Sequence, residues 1–276
     1  MNNLKLLRYD LINGIWYRKI YFILPVVLGV ISCIGAHSTL LQIQEYHNNI
    51  GNGTVMDYWI YLIQGSKPYK FDVFSTFETP IRWLCFYLLF LICLNNYPNQ
   101  DINSFGIHIL VSSKKRVYWW ISKLCWIIVS AIVYSLLCFL TISVYVVLHG
   151  GEVSASITPG IMTAIAKKEF LSCGFAQRIS ICLIQPICML IMLGVIQMAL
   201  SVYLSPYNSF LMLFALLVIS SYKIHYVLFG NWGMPYRMIP IMKNGMNSKI
   251  CIFLVLACTV LAGTAGYIRF RKKDLL

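Results

Sequence analysis

Six long apolar runs dominate this chain, at about residues 20–41, 79–97, 124–148, 179–204, 206–222 and 249–268. Each is close to the ~20 residues a helix needs to cross ~30 Å of hydrocarbon, and inside a bilayer only helices and closed barrels satisfy their own backbone. Composition agrees, with 59% hydrophobic and 11% charged residues and a mean hydropathy of +0.73, outside the soluble globular range. The expected fold class is an all-α integral membrane protein, one domain over 1–276 with six transmembrane helices. The fourth and fifth runs abut at Leu204-Ser205-Pro206-Tyr207, where proline favours a helix break, so two helices joined by a tight turn are expected there. The intervening loops are about 40 residues or fewer, too short for an independently stable soluble domain. Any ATPase, kinase or hydrolase domain is therefore expected on another polypeptide. The first run exceeds the h-region of a signal peptide and no small-residue cleavage pattern follows it, so it is expected to remain as a span.

Cations set the expected orientation. Lys5, Arg8, Arg18 and Lys19 precede the first run, Lys114, Lys115, Arg116 and Lys123 lie between the second and third, and Arg269, Arg271, Lys272 and Lys273 follow the last. These are twelve of the 22 Lys and Arg residues, packed close to span ends. The positive-inside rule places them, and both termini, in the cytoplasm of a cell membrane. The net charge of +13 then needs no nucleic-acid partner.

The usual chemical signatures are missing. There is no GxxxxGK[ST], HExxH or GxSxG, and no acidic pair at metal-ligand spacing, so no enzyme activity, cofactor or metal is expected. Nine of the ten cysteines fall in apolar runs and read as small buried hydrophobes, with Cys173 alone expected to be exposed. His37, His47, His108, His149 and His225 read as mutually distant surface groups. Asp, Glu, Lys and Arg avoid the middles of all six runs, where each costs about 2.5–3.5 kcal/mol. A proton- or sodium-driven carrier, whose relay needs such groups, is disfavoured.

Residues 3–19 place Leu4, Leu7, Leu11 and Ile15 at helical spacing, with Lys5, Arg8 and Asp10 elsewhere on the wheel. This predicts an amphipathic helix on the inner leaflet. Asp57-Tyr58-Trp59-Ile60-Tyr61-Leu62-Ile63 predicts a short interfacial helix at headgroup depth. The sequon Asn52-Gly53-Thr54 doubles as a turn. The 150–178 loop carries no recognisable set. Segment 223–248, apolar but broken by glycine and proline, suits a re-entrant piece if protein shields its backbone.

The stretch DINSFGIHILVSSKKRVYWWISK, residues 101–123, interrupts the apolar pattern. Asp101 suits an N-cap, and Ile102, Phe105 and Ile109 then share one helical face. Ser112-Ser113 loosens the helix end, Lys114, Lys115 and Arg116 follow carbonyls that favour cations, and Tyr118, Trp119 and Trp120 belong at headgroup level. A short helix presented to the cytoplasm is expected.

This arrangement resembles the permease subunits of ATP-binding-cassette transporters of the type-2 exporter class. Their second-to-third loop typically holds a coupling helix with an acid, a glycine about five residues on, an aliphatic stretch, a basic step and a lysine opening the third span. Asp101, Gly106, Ile109-Leu110-Val111, Lys115-Arg116 and Lys123 stand here in that order, with Ser112-Ser113 where a proline is frequent. The amphipathic start, the broken segment before the last span and the tail Arg269-Phe270-Arg271-Lys272-Lys273-Asp274 extend the likeness. The resemblance implies a coupling helix that contacts a cytoplasmic ATP-binding subunit through Asp101, Ile102, Phe105, Gly106, Ile109, Lys115 and Arg116. It also implies a second permease, the same or a related chain, contact with membrane lipid, and export of an amphipathic peptide, antibiotic or lipid, including peptide self-immunity. The alternative is a non-transporting membrane anchor or sensor that recruits a cytoplasmic ATPase. A lipid-acting enzyme is disfavoured for want of paired acids or a nucleophile and base.

The cation asymmetry yields a topology test. In a cysteine-free background, single cysteines at Asn2, Ser113 and Leu276 should resist an impermeant thiol reagent in intact cells, while one at Asn52 should react. Outside labelling at Ser113 would overturn the orientation.

Overall fold

The computed structural model describes residues 3–45, 51–69, 77–94, 97–102, 116–165, 170–171, 173–239 and 241–272. It is helical apart from one two-residue strand pair, Met238–Ile239 with Met246–Asn247. The helices are α1 (Asn3–Leu11), α2 (Ile20–Gln44), α3 (Val55–Ile63), α4 (Ile81–Leu94), α5 (Tyr97–Ile102), α6 (Arg116–Leu148), α7 (Pro159–Ile165), α8 (Phe175–Ser201), α9 (Pro206–Tyr222) and α10 (Ser248–Lys272).

Five helical stretches are long and apolar enough to cross a membrane: Ile20–Gln44, Ile81–Ile102, Arg116–Leu148, Phe175–Ser201 and Ser248–Lys272. The chain is a multi-pass membrane protein. The sixth expected run forms α9, an apolar helix of 17 residues, about 26 Å long at 1.5 Å per residue. Its separation from α8 falls where Pro206 predicts it, and Ser205 caps the new helix by accepting a hydrogen bond from the Asn208 amide. Helix α6 has 33 residues, about 50 Å, so it outreaches ~30 Å of hydrocarbon by several turns.

α2 packs along α6, and α8 packs against α10, α6 and α4. Where α8 meets α10 the approach is close: a Cβ on Gly266 would lie 2.8 Å from the Ala199 Cβ and 2.8 Å from the Trp120 ring, a small-residue contact of the kind that membrane helices favour. Some polar side chains in the bundle donate to backbone carbonyls of neighbouring helices. Tyr134 donates to the Phe86 carbonyl at 3.0 Å and Gln197 to that of Leu91 at 3.3 Å. Apolar residues such as Ile31, Val144, Phe253 and Leu261 remain on the outside, as lipid-facing positions require.

Pro186 leaves a signature in α8. Lacking an N–H, it cannot bond the carbonyl four residues earlier, and the helix relaxes into a π turn over Ser180–Ile184. The Cys182 carbonyl is taken by the Trp59 indole N–H of α3 at 2.7 Å. Helix α3 is thereby locked into the bundle, and all nine of its residues are buried. The aromatic run 57–63 therefore forms the short helix expected, with its side chains packed inside protein. Its N-terminus is a complete capping box between Thr54 and Asp57. Burial raises the Asp57 carboxyl above its ordinary range, while hydrogen bonds from Thr54 and Thr158 oppose the rise. In the sequon Gly53 has φ +85°, and Thr54 is buried and forms an isolated β-bridge with Glu152 in place of the expected turn. The 150–178 loop supplies this partner set, since Glu152 pairs with Gly53 and Val55 and the Ser156 carbonyl accepts from Thr54.

Within segment 223–248 a central stretch is shielded by protein. Residues 230–238 are buried; the Gly233 carbonyl accepts from Trp83 at 2.7 Å and Tyr87 at 3.1 Å, and that of Trp232 from Gln185 at 2.5 Å. Arg237 is wholly buried and donates to the carbonyls of Ser66, Ser220 and Ser221 and to the Asn231 side chain. Two of these carbonyls end α9, where a cation complements the helix dipole. Burial lowers the guanidinium to about 10, so it stays charged at neutral pH.

Two expectations fail here. Cys173 is buried at 4% exposure, although it lies outside the apolar runs. The rings of His37 and His149 lie 4.7 Å apart, with His149 stacked on Tyr145; α2 and α6 run side by side and bring together residues distant in sequence.

Arg237→Ala should strip these buried carbonyls of their donor at about 1–3 kcal/mol for each one left unsatisfied, read as a lower melting temperature in detergent. Arg237→Lys should recover only part of the loss, since one ammonium cannot span the same acceptors.

Candidate functional site: a buried charge cluster at the stems of the 103–115 segment

α1 lies against the N-terminal part of α6. Its buried face is Leu6 and Asp10, continuing into Gly14 and Ile15 of the π turn Ile12–Trp16. Asp10, expected on a solvated face, is instead 2% exposed. Gly14 permits the close approach, because a Cβ there would sit 2.3 Å from the Trp126 indole nitrogen.

Burial of a carboxylate requires a partner, and α6 provides one. The Lys123 ammonium, 0% exposed, lies 2.5 Å from an Asp10 oxygen and 2.8 Å from an Asp101 oxygen. Tyr97 donates to Asp10 at 2.9 Å, Ser122 donates to its other oxygen, and the Trp119 indole donates to Asp101 at 2.8 Å. The ammonium also rests 4.2 Å from the Tyr97 ring centroid and 5.1 Å from that of Trp119, a favourable cation–π arrangement. Two carboxylates around one ammonium leave one formal negative charge, which the three neutral donors and the Arg18 guanidinium, 4.9 Å from the Tyr97 ring, help to offset. Arg18 also bonds the Gln100 side chain.

The cluster joins three elements. Asp101 and Tyr97 come from α5, which leads into segment 103–115; Trp119, Ser122 and Lys123 come from the first turns of α6, which leave it; Asp10 comes from α1. Both stems of the segment are thus fastened to each other and to the N-terminal helix.

Of the coupling-helix candidates, Asp101, Ile102 and Arg116 are described, whereas Phe105, Gly106, Ile109 and Lys115 lie outside the described residues. Asp101 is itself helical, within Tyr97–Ile102, and its carboxylate is engaged with Lys123 and Trp119; the helix it is expected to cap lies outside the described residues. Ile102 is half-buried beside the core. Arg116 donates to the Phe270 and Arg271 carbonyls at 3.3 and 2.8 Å, tying the start of α6 to the C-terminal turn of α10. Trp119 and Trp120 are buried rather than open to lipid headgroups; both stack on Phe270, and Trp120 donates to the Gly263 carbonyl at 3.0 Å.

Sequence reasoning missed Asp10, Tyr97 and Ser122 and took Lys123 for an end-of-span cation. The available signal was Asp10 at helical spacing from Leu6, on the face that continues into Gly14. Among the described residues no three His, Cys, Asp or Glu side chains converge as metal ligands. The arrangement can hold three elements together around one buried cation. The chain matches no family model, no curated protein and no solved structure.

Lys123→Met should leave two buried carboxylates without their cation and cost about 3–5 kcal/mol. Asp10→Asn, which keeps the Lys123–Asp101 pair, should cost clearly less. Thermal unfolding in detergent checks both, and equal losses would contradict the shared-cation geometry.

Proposed function

We propose that this chain is the permease subunit of an ATP-driven exporter of the ATP-binding-cassette type-2 class. In this reading α9 is the sixth span, its short length accommodated by local bilayer thinning, and both termini are cytoplasmic. α1 lies at the inner leaflet, and segment 103–115 carries the coupling helix. A separate ATPase binds that segment, and a second permease of the same or related sequence completes the pathway. The cargo is an amphipathic peptide, antibiotic or lipid, with peptide self-immunity as the leading role.

The observation that carries the reading is the Asp10–Lys123–Asp101 cluster. A coupling segment transmits motion only if its stems are rigid, and here both stems and α1 share one buried cation. Movement of the segment therefore displaces α1, α5 and α6 together, and Arg116 extends the linkage to α10. The lack of ionisable residues in the span middles is consistent with energy entering from outside the membrane.

The test begins with co-purification of the tagged chain and its ATPase in mild detergent, followed by Gly106→Trp. The variant should insert with unchanged topology yet lose substrate-dependent ATPase stimulation in the reconstituted complex. Wild-type turnover from correctly inserted Gly106→Trp protein would sink the coupling reading. ATPase stimulation by the wild type with no change in substrate distribution would favour the anchor or sensor role.

A further inference from the structure

We propose that His37 and His149 together hold one divalent transition-metal ion of the kind imidazole prefers, Zn²⁺ among them, through their Nε2 atoms. The pair lies at the end of the bundle opposite Lys123. At 1.5 Å per residue His149 stands about 39 Å from Lys123 along α6, more than the ~30 Å of hydrocarbon. His149 is exposed and His37 half-buried, so an ion has access from water.

Each ring is held through its Nδ1 atom. The His149 Nδ1 lies 2.9 Å from the Tyr145 carbonyl oxygen. A carbonyl can only accept, so Nδ1 carries the proton and the lone pair is left on Nε2. The same ring stacks on Tyr145 with centroids 4.1 Å apart, which restricts its rotation. His37 places its Nδ1 3.3 Å from the Tyr58 hydroxyl, and α3, which carries Tyr58, is fastened by Trp59 to the Cys182 carbonyl. That hydroxyl can accept as well as donate, so His37 can present a bare Nε2 too. An imidazole anchored by one N–H, with its other nitrogen left to the metal, is how proteins orient histidine ligands.

The spacing of the rings fits a shared ion. Their centroids are 4.7 Å apart and their planes are inclined at 62°. A metal–nitrogen bond of about 2.0–2.1 Å puts an ion roughly 3.2 Å from each ring centre. Two imidazoles at the roughly 90–110° of a square-planar or tetrahedral ion then have centres about 4.5–5.2 Å apart, and the observed separation falls inside that range. Neutral nitrogen ligands select against Mg²⁺ and Ca²⁺, which take oxygen. Among the described residues no third His, Cys, Asp or Glu joins the pair, so water completes the coordination. The ion is therefore exchangeable, unlike those in closed four-ligand structural sites. When bound, it ties α2 to α6 at the end that the Lys123 cluster does not reach.

The site is tested by calorimetric titration of Zn²⁺ into the full chain in detergent, purified on a histidine-free tag. One Zn²⁺ per chain should bind through this pair, and Mg²⁺ should not. His37→Asn and His149→Asn should each weaken binding at least about tenfold, and the double variant should lose little more, because either loss already breaks the chelate. His225→Asn, outside the pair, should change nothing. Zn²⁺ should also raise the melting temperature of the wild type but not of the single variants. Absence of Zn²⁺ binding by the wild type, or unchanged affinity in folded His149→Asn protein, would overturn the site and leave the two rings as a packing contact. Equal affinity for Mg²⁺ would assign the binding to carboxylates and overturn it as well.

Discussion

A charge withdrawn from water must be neutralised close by, and at one end of this bundle a single ammonium does so for two helices besides its own. Lys123 is wholly buried between Asp10 and Asp101, so α1 and α5 are fixed wherever α6 is fixed. The pairing alone need not stabilise the fold relative to an apolar core. What it supplies is specificity, because three elements from distant parts of the chain must meet at one nitrogen. The opposite end uses a different solution. Arg237 donates to carbonyls and to the neutral Asn231 side chain, closing the end of α9 and holding the short turns before α10.

Between these ends, irregular backbone is repaired by neighbouring side chains. Pro186 releases a carbonyl and Trp59 takes it; Gly233 exposes a carbonyl to which Trp83 and Tyr87 both donate. In an apolar medium each such carbonyl would otherwise remain unsatisfied. This gives α3 and the 229–238 turns a structural purpose as plugs over helix irregularities.

Much of the helical framework was legible in the sequence, because hydrocarbon thickness imposes a length on each apolar run and Pro206 marks a break. The capping box of Thr54 and Asp57 is equally local, spanning four residues, although only a turn was expected there. What escaped was every feature made by residues far apart in sequence. Asp10 looks like a surface acid until Lys123 is placed beside it, 113 positions on. The aromatic run 57–63 has the composition of an interfacial helix, and only its contact with Cys182 reveals that it is buried. His37 and His149 likewise meet because α2 and α6 are neighbours. Periodicity reports which face of a helix is apolar; it does not report which polar residue will find a partner.

The shared buried cation requires α1, α5 and the start of α6 to behave as one mechanical unit. Hydrogen–deuterium exchange on the reconstituted chain measures this directly, comparing wild type with Lys123→Met. Residues 3–17, 97–102 and 116–126 should gain exchange together, while residues 229–239 at the other end stay protected. Loosening of only one of the three segments, or unchanged protection in all of them, would contradict the claim that a single buried cation holds the stems.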